Sequence, residues 1–436
     1  MFNYPKKINH NDYLADDLNP KVLYGLPKNV VFCKTCAMSN QKPISTVEFK
    51  HLKHEKKHGI NLNEDGQCDP CKVNKKKNEE IDWKIREEQL LELCAKNRRN
   101  DGSYDCLVPG SGGKDSFYAS HILKYKYKMN PLTVTWSPNI YTDWGWKNYM
   151  SWINSGQDNY LVNPNGKVKK LLTRIALENL LHPFQPFILG QRNVPAKIAS
   201  KYGINLIFYG ENEAEYNNPK EEFDSSERNK KTWINNEDEN DNLSISGVSL
   251  KDLQEKFDLS KNELSLYLPI NNKEVEKNKI EVRYLGYYLK WDQQGKYYFA
   301  VEKGGFIPSP ERTSGTYSKY NSIDDKLDDF HFYTTLIKFG VSRVNYDVSQ
   351  ELRNGEISFQ EGKELVRKYQ YEFPKRFENE LYEYLSISEK DYPIASKMFE
   401  QPIMSRQYFD RLLDSFRSPH IWYHDGTSWK LRTTFY

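Results

Sequence analysis

Apolar positions recur at helical spacing through residues 81–94, where Ile81, Ile85, Leu90, Leu91 and Leu93 predict an amphipathic helix. The period then changes. Residues 104–108 form a short apolar run that reads as a buried strand, and Phe117, Tyr118, Ile122 and Leu123 mark the apolar face of a helix beyond it. Further strands are predicted at 132–136, 160–162 and 205–209, separated by helices at 168–181 and 194–202. Strands that alternate with helices predict an α/β fold with a parallel sheet covered on both faces, and ligands at the carboxyl ends of its strands.

Beyond residue 217 the pattern turns polar. A loop or disordered insertion is expected at about 218–279, centred on the Asn/Asp/Glu run 235–242. A strand at 280–289 follows, and helices are predicted at 327–339, 358–369, 377–385 and 408–416. The expected organisation is a small module at 1–80, a main α/β domain at 81–345 and a mostly helical C-terminal region at 346–436.

Lys and Arg total 63 against 60 Asp and Glu, and a net charge of +3 gives no broad cationic field for nucleic acid. The run Lys75-Lys76-Lys77 is too short to change that. No stretch approaches the roughly 20 apolar residues of a membrane span, and residues 1–10 carry no apolar signal core, so a cytoplasmic protein is expected.

The chemistry concentrates in the turn between the first strand and its helix, Pro109-Gly110-Ser111-Gly112-Gly113-Lys114-Asp115-Ser116. Such a turn gathers backbone N–H groups and a helix N-terminus at one point, which suits phosphate. The glycines permit close approach, and the Ser111 and Ser116 hydroxyls add donors. Lys114 supplies a cation. Gly110 and Gly113 are separated by two residues where a Walker loop needs four, so a GTPase or kinase-type loop is disfavoured.

Cys33-Lys34-Thr35-Cys36 and Cys68-Asp69-Pro70-Cys71 are two C-x-x-C knuckles. Four thiolates form the tetrahedral set that zinc prefers, and a structural zinc is favoured over a redox or sulfur-carrying role. His51, His54 and His58 lie between the pairs and fit one solvated helix face better than a ligand set.

The loop resembles the Ser-Gly-Gly-x-Asp-Ser signature of the PP-loop ATP pyrophosphatases. That resemblance implies a sheet of the adenine-nucleotide alpha-hydrolase (HUP/PP-loop) type and a loop that holds the pyrophosphate of ATP while a substrate oxygen attacks the α-phosphorus. It further implies that Val134 and Trp136, ending the second strand, read adenine, and that Gly210 and Glu211, after the fourth, join the site. With the paired cysteines, the segment Tyr141-Thr142-Asp143-Trp144-Gly145-Trp146-Lys147-Asn148 and the stretches 287–292, 311–320, 338–343 and 347–355, the chain resembles the N-acetyl sugar amidotransferase family, nearest its pseudaminic acid branch. Members of that branch are implied to turn an acetamido group of a CMP-activated nonulosonic acid into an acetamidino group. The implied cofactors are ATP, Mg2+ and Zn2+, and the implied basic candidates are Lys290, Arg312, Lys319, Lys338 and Arg343, of which Arg312, Lys338 and Arg343 join Lys114 and Asp115 as catalytic candidates. Asp292, Asp324 and Asp325 could hold sugar hydroxyls or a second metal, and Tyr317 and Trp291 could stack on the substrate.

Ammonia is the remaining reactant. A glutaminase needs an activated cysteine, and neither Met1-Phe2 nor the context of any other Cys offers one, so free ammonia or a separate glutaminase subunit is expected. The alternatives are a tRNA-thiolating PP-loop enzyme, which should carry a catalytic Cys at the rim of the site, and a zinc-ribbon adaptor that retains a nucleotide fold without turnover.

Overall fold

The computed structural model describes residues 5–43, 59–210, 224–235 and 243–436. Five strands, β1 (Cys106–Pro109), β2 (Pro131–Trp136), β3 (Asp158–Val162), β4 (Leu206–Tyr209) and β5 (Glu281–Tyr284), form a wholly parallel sheet in the order β3-β2-β1-β4-β5. The chain runs outward from β1 through β2 to β3, then returns to place β4 on the other side of β1. A crevice therefore opens between the carboxyl ends of β1 and β4, the position where open α/β sheets bind ligands.

The helices are α1 (Asp69–Glu79), α2 (Trp83–Asn97), α3 (Lys114–His121), α4 (Asp143–Asn154), α5 (Gly166–Leu180), α6 (Gln185–Lys201), α7 (Leu250–Phe257) and α8 (Asn272–Asn278). They continue with α9 (Gln293–Gly304), α10 (Asp328–Phe339), α11 (Arg343–Asn354), α12 (Phe359–Tyr369), α13 (Glu378–Leu385) and α14 (Arg406–Phe416). Both faces of the sheet are covered. Alternate strand residues point to opposite sides, so Leu107, Leu132, Val134 and Ile207 pack with α5 and α6, while Cys106, Val108, Leu206 and Phe208 pack with α2 and α3.

Three predicted elements are corrected. Residues 218–223 and 236–242 of the stretch at 218–279 lie outside the described residues, but the described ones are structured: they carry α7 and α8, and Trp233, Ile245, Leu253, Phe257, Tyr267 and Val275 are buried in the same core as the sheet. The stretch's apolar residues are spaced too widely between polar runs to show as a period, yet those of residues 265–278 pack on α6. The strand at 280–289 ends at Tyr284, and residues Leu285–Tyr288 turn into a short helix. The helix at 194–202 starts much earlier, at Gln185. Residues 186–190 of its first half are an unbroken apolar run and Pro195 lies inside it, two features that hide a 3.6-residue period.

The C-terminal helices are bound to this core by a buried arginine. Arg174 of α5, fully buried, donates to Glu178 at 2.7 Å and to the carbonyls of Leu385, Gln401 and Pro402. Nη1 and Nη2 thus join α5 to the segment around α13, while Nε and Nη2 also hold Glu178 one turn along α5.

Candidate functional site

The loop after β1 is shaped by what its glycines leave out. A Cβ on Gly110 would lie 2.1 Å from that of Ser116, and Gly112 sits at φ +85° with a would-be Cβ 2.7 Å from the Tyr149 Cα. Only glycine fits either place, and the backbone can then fold tightly over the start of α3. Gly113 is the residue before the helix, Lys114 its first residue, and the Ser116 hydroxyl donates back to the Gly113 carbonyl at 3.0 Å. Lys114 is 5% exposed, and its Nζ lies 2.7 Å from Asp115 Oδ2. The other carboxylate oxygen, Asp115 Oδ1, is buried without a partner. A buried acceptor left open at the N-terminus of a helix is an opening for a cation that accompanies phosphate.

This loop forms the floor of a cavity of about 380 Å³ at the sheet's switch point. Val134 and Trp136 line it from β2, and Tyr209 and Gly210 from β4. Trp136 packs flat against Gly190 of α6, where a Cβ would come within 2.2 Å of the indole, and its N–H is buried without a partner. Phe184, Phe187 and Val194 of the α6 segment complete an apolar side. Glu211 falls outside the described residues, as do His51, His54 and His58.

The same cavity is lined by an acidic wall formed by Asp324, Asp325 and Asp328. It is anchored to the segment 141–148: Thr142 caps α4 by accepting from Gly145 N–H, its own hydroxyl donates to the Ile323 carbonyl, and the Cβ missing from Gly145 would lie 2.6 Å from Asp324 Cα. Asp325 is satisfied internally, accepting from the backbone N–H groups of Asn139, Ile140 and Leu327. Burial nonetheless raises its pKa to about 6, against those donors and the Lys169 charge. Burial also raises Asp324, which the Ser111 hydroxyl partly offsets by donating to it, so the loop after β1 and the acidic wall touch.

The basic candidates lie elsewhere. Arg312 is paired with Glu372 at 2.5 Å, and Lys338 donates to the Leu180 carbonyl at 2.7 Å. Lys290 and Lys319 are exposed. Arg343 comes nearest: it is bonded to Asp347 at 3.1 Å and stacks 4.3 Å from the ring centre of Phe332, whose ring lines the cavity. Asp292 caps α9 by accepting from Gly295 N–H, Trp291 is buried behind Gly210, and Tyr317 donates to Glu351. The aromatic side of the cavity is instead Tyr320 with Phe332 and Phe306. Asp328 and Phe332 were not singled out from sequence; the doublets Asp324-Asp325, ahead of α10, and Asp328-Asp329, at its start, are the signal that could have found them.

The four paired cysteines form a second centre. Cys33, Cys36, Cys68 and Cys71 bring their Sγ atoms within 4.8 Å of one another, with Cys36 to Cys68 at 3.6 Å and Cys33 to Cys71 at 3.8 Å. Tetrahedral ligands about 2.3 Å from zinc stand about 3.8 Å apart, so the spacing fits that ion. Hydrogen bonds from Cys36, Cys68 and Cys71 push the Cys33 thiol down, and the bonds given to Cys33 push Cys68 and Cys71 up. Four such thiols ionise together only around a cation. Gly66 at φ +79° makes the second knuckle, where its carbonyl accepts from Lys34 N–H. Cys94 and Cys106 are buried between α2 and β1 with raised pKa values, chiefly from burial, and neither lines the cavity.

Residues 314–435 match the family described as LPS biosynthesis protein WbpG-like, C-terminal domain. The match fits a family of LPS and sugar biosynthesis, and it takes in the acidic wall, Tyr320 and Phe332. A 46-residue stretch is 41% identical to an uncharacterized protein of Methanocaldococcus jannaschii, covering 11% of this chain and 17% of that relative. No described helix is long and apolar enough to cross a membrane.

Proposed function

We propose that the chain is an ATP-dependent amidotransferase that adenylates the acetamido oxygen of a nucleotide-activated sugar and replaces that oxygen with nitrogen. The single observation that carries the reading is the open Asp115 carboxylate oxygen on a Gly/Ser loop, facing a cavity whose far wall belongs to a sugar-biosynthesis family. Backbone N–H groups of residues 111–116 hold the pyrophosphate of ATP, and Val134, Trp136 and the apolar residues of α6 take the adenine. Gly210 closes the site after β4. The substrate, a CMP-activated nonulosonic acid of the pseudaminic acid type, lies between the loop and Tyr320.

An amide carbonyl is a poor electrophile, so its oxygen must first become a leaving group. Attack of that oxygen on the α-phosphorus releases pyrophosphate and leaves an O-adenylyl imidate, and ammonia then displaces AMP to leave an amidine. Lys114 offsets phosphate charge from the floor, and a magnesium ion held at Asp115 would screen the phosphates. Arg343 orients the wall through Phe332, while Arg312 and Lys338 hold the surrounding framework. The zinc expected at the four cysteines is structural. Ammonia comes free or from a separate glutaminase subunit.

The test is to incubate the chain with ATP, magnesium, ammonium chloride and candidate CMP-sugars, and to look for AMP, pyrophosphate and a product lighter by about one mass unit, the change on replacing carbonyl oxygen by imino nitrogen. Asp115→Asn should abolish AMP formation. No sugar-dependent AMP from the unaltered chain would end the proposal.

A further inference from the structure

The acidic wall holds one carboxylate that nothing in the fold uses. Asp325 is saturated by backbone donors, Asp329 by Arg376 and the Ser314 hydroxyl, and Asp324 accepts from Ser111. Asp328 differs. It is 8% exposed, lines the cavity, and accepts no side-chain hydrogen bond from any described residue. The Arg343 charge acts on it, but that guanidinium is bonded to Asp347. A place in the first turn of α10 favours an acid there. It does not explain an acid buried without a donor beside three other carboxylates.

We propose that Asp328, with Asp324 beside it, seats the ammonium ion that delivers nitrogen to the activated amide, and takes one proton from it. This rests on the amidotransferase reading. The charge and the donors both fit: an ammonium ion supplies the hydrogen bonds that Asp328 lacks and neutralises the excess charge of the wall. A divalent cation fits less well, because among the described residues the only set of three or more ligand atoms within 4.8 Å is the cysteine cluster, so the carboxylates form no ready cage. In the step, one N–H bond of ammonium breaks, its proton passes to the Asp328 carboxylate, and the freed lone pair bonds to the imidate carbon. The C–O bond to AMP then breaks, and AMP leaves with that electron pair. Burial among Asp324, Asp325 and Asp329 raises the proton affinity of Asp328, as an acceptor for ammonium requires.

The experiment has two arms. In the first, thermal unfolding of the whole chain is followed in ammonium, potassium, sodium or magnesium chloride at equal ionic strength, without ATP or sugar. A saturable rise of the midpoint specific to ammonium is expected for the unaltered chain, absent in Asp328→Asn and reduced in Asp324→Asn, which serves should the first variant fail to fold. Equal ammonium responses in variant and unaltered chain overturn the proposal, as does a response to magnesium alone. In the second, the KM for ammonium in amidine formation should rise about tenfold or more in Asp328→Asn, the loss expected for one charge-assisted hydrogen bond. An unchanged KM overturns the assignment while the amidotransferase reading stands; a chain that binds ammonium but forms no sugar-dependent AMP sinks that reading instead.

Discussion

Arg353 of α11 brings its Nη1 to 3.9 Å from the Sγ of Cys36. The contact puts a half-buried cation against the cysteine cluster, and Asn345 of the same helix donates to the Ala37 carbonyl at 3.1 Å. Val341 and Tyr346 pack with the cysteines in one apolar cluster. Removing the metal should therefore loosen α11 as well as the cysteine knuckles, since the ligands would lose the ion that lets them ionise. One zinc per chain is expected by elemental analysis. Treatment with a strong chelator should lower the unfolding midpoint and open proteolytic cleavage in residues 341–356; an unchanged midpoint would contradict the structural role.

Gly112→Ala should cost both stability and nucleotide binding. The residue lies at φ +85°, and a methyl group there would meet the backbone at Tyr149 Cα and the Asn148 carbonyl, neither of which can yield without moving α4. A loss of about 1–3 kcal/mol in unfolding is expected from the strained backbone, with ATP affinity falling further because the displaced loop no longer aims its N–H groups. Gly166→Ala is the control: nothing lies within 4 Å of its would-be Cβ. Equal ATP affinity by calorimetry in both variants would refute the argument.

Much of this site could be read before the structure was seen. The strand-to-helix turn at 109–116, the sheet strands and the cysteine tetrad rest on local patterns: an apolar run, a Gly/Ser turn and two C-x-x-C knuckles. The partners of the basic residues were not legible, because a charged side chain shows its chemistry in sequence but hides its partner; Glu372 lies 60 positions from Arg312. Asp328 and the apolar wall of α6 were hidden for the same reason, since burial of an acid or the lining of a cavity is set by elements far apart in the chain. The stretch at 218–279 shows the limit of composition, because a polar average conceals the few large apolar residues that fix it to the core.

Arg174→Met should destabilise the chain by about 3–5 kcal/mol, the cost of leaving a buried ionic partner alone. Glu178 would keep only the Tyr408 hydroxyl, at 3.1 Å, and three carbonyls around α13 would lose their donor. The double variant Arg174→Met with Glu178→Leu should recover part of the loss. Urea unfolding measures both, and a double variant less stable than the sum of its parts would contradict the pairing.

His420 makes stability depend on acid. Its Nδ1 lies 2.7 Å from Ser418 Oγ, and its Nε2 lies 3.1 Å from Gln41 Oε1. Gln41 donates through its own amide nitrogen to the Pro27 carbonyl, which turns Oε1 toward the ring as an acceptor, so Nε2 carries the hydrogen and Nδ1 accepts from Ser418. Both bonds are satisfied by the neutral imidazole. Burial, helped by the Arg432 charge, lowers the pKa to about 4. Because the unfolded chain protonates His420 near pH 6.5 and the folded chain does not until about pH 4, this contribution is complete above 6.5 and is lost as pH falls through that window. The full loss is about 3 kcal/mol. Carboxylates also titrate there, so the measurement is the difference in urea unfolding free energy between the unaltered chain and His420→Gln at several pH values. That difference should be largest at pH 7 and shrink toward pH 4; a difference independent of pH would show that the ring is not held neutral.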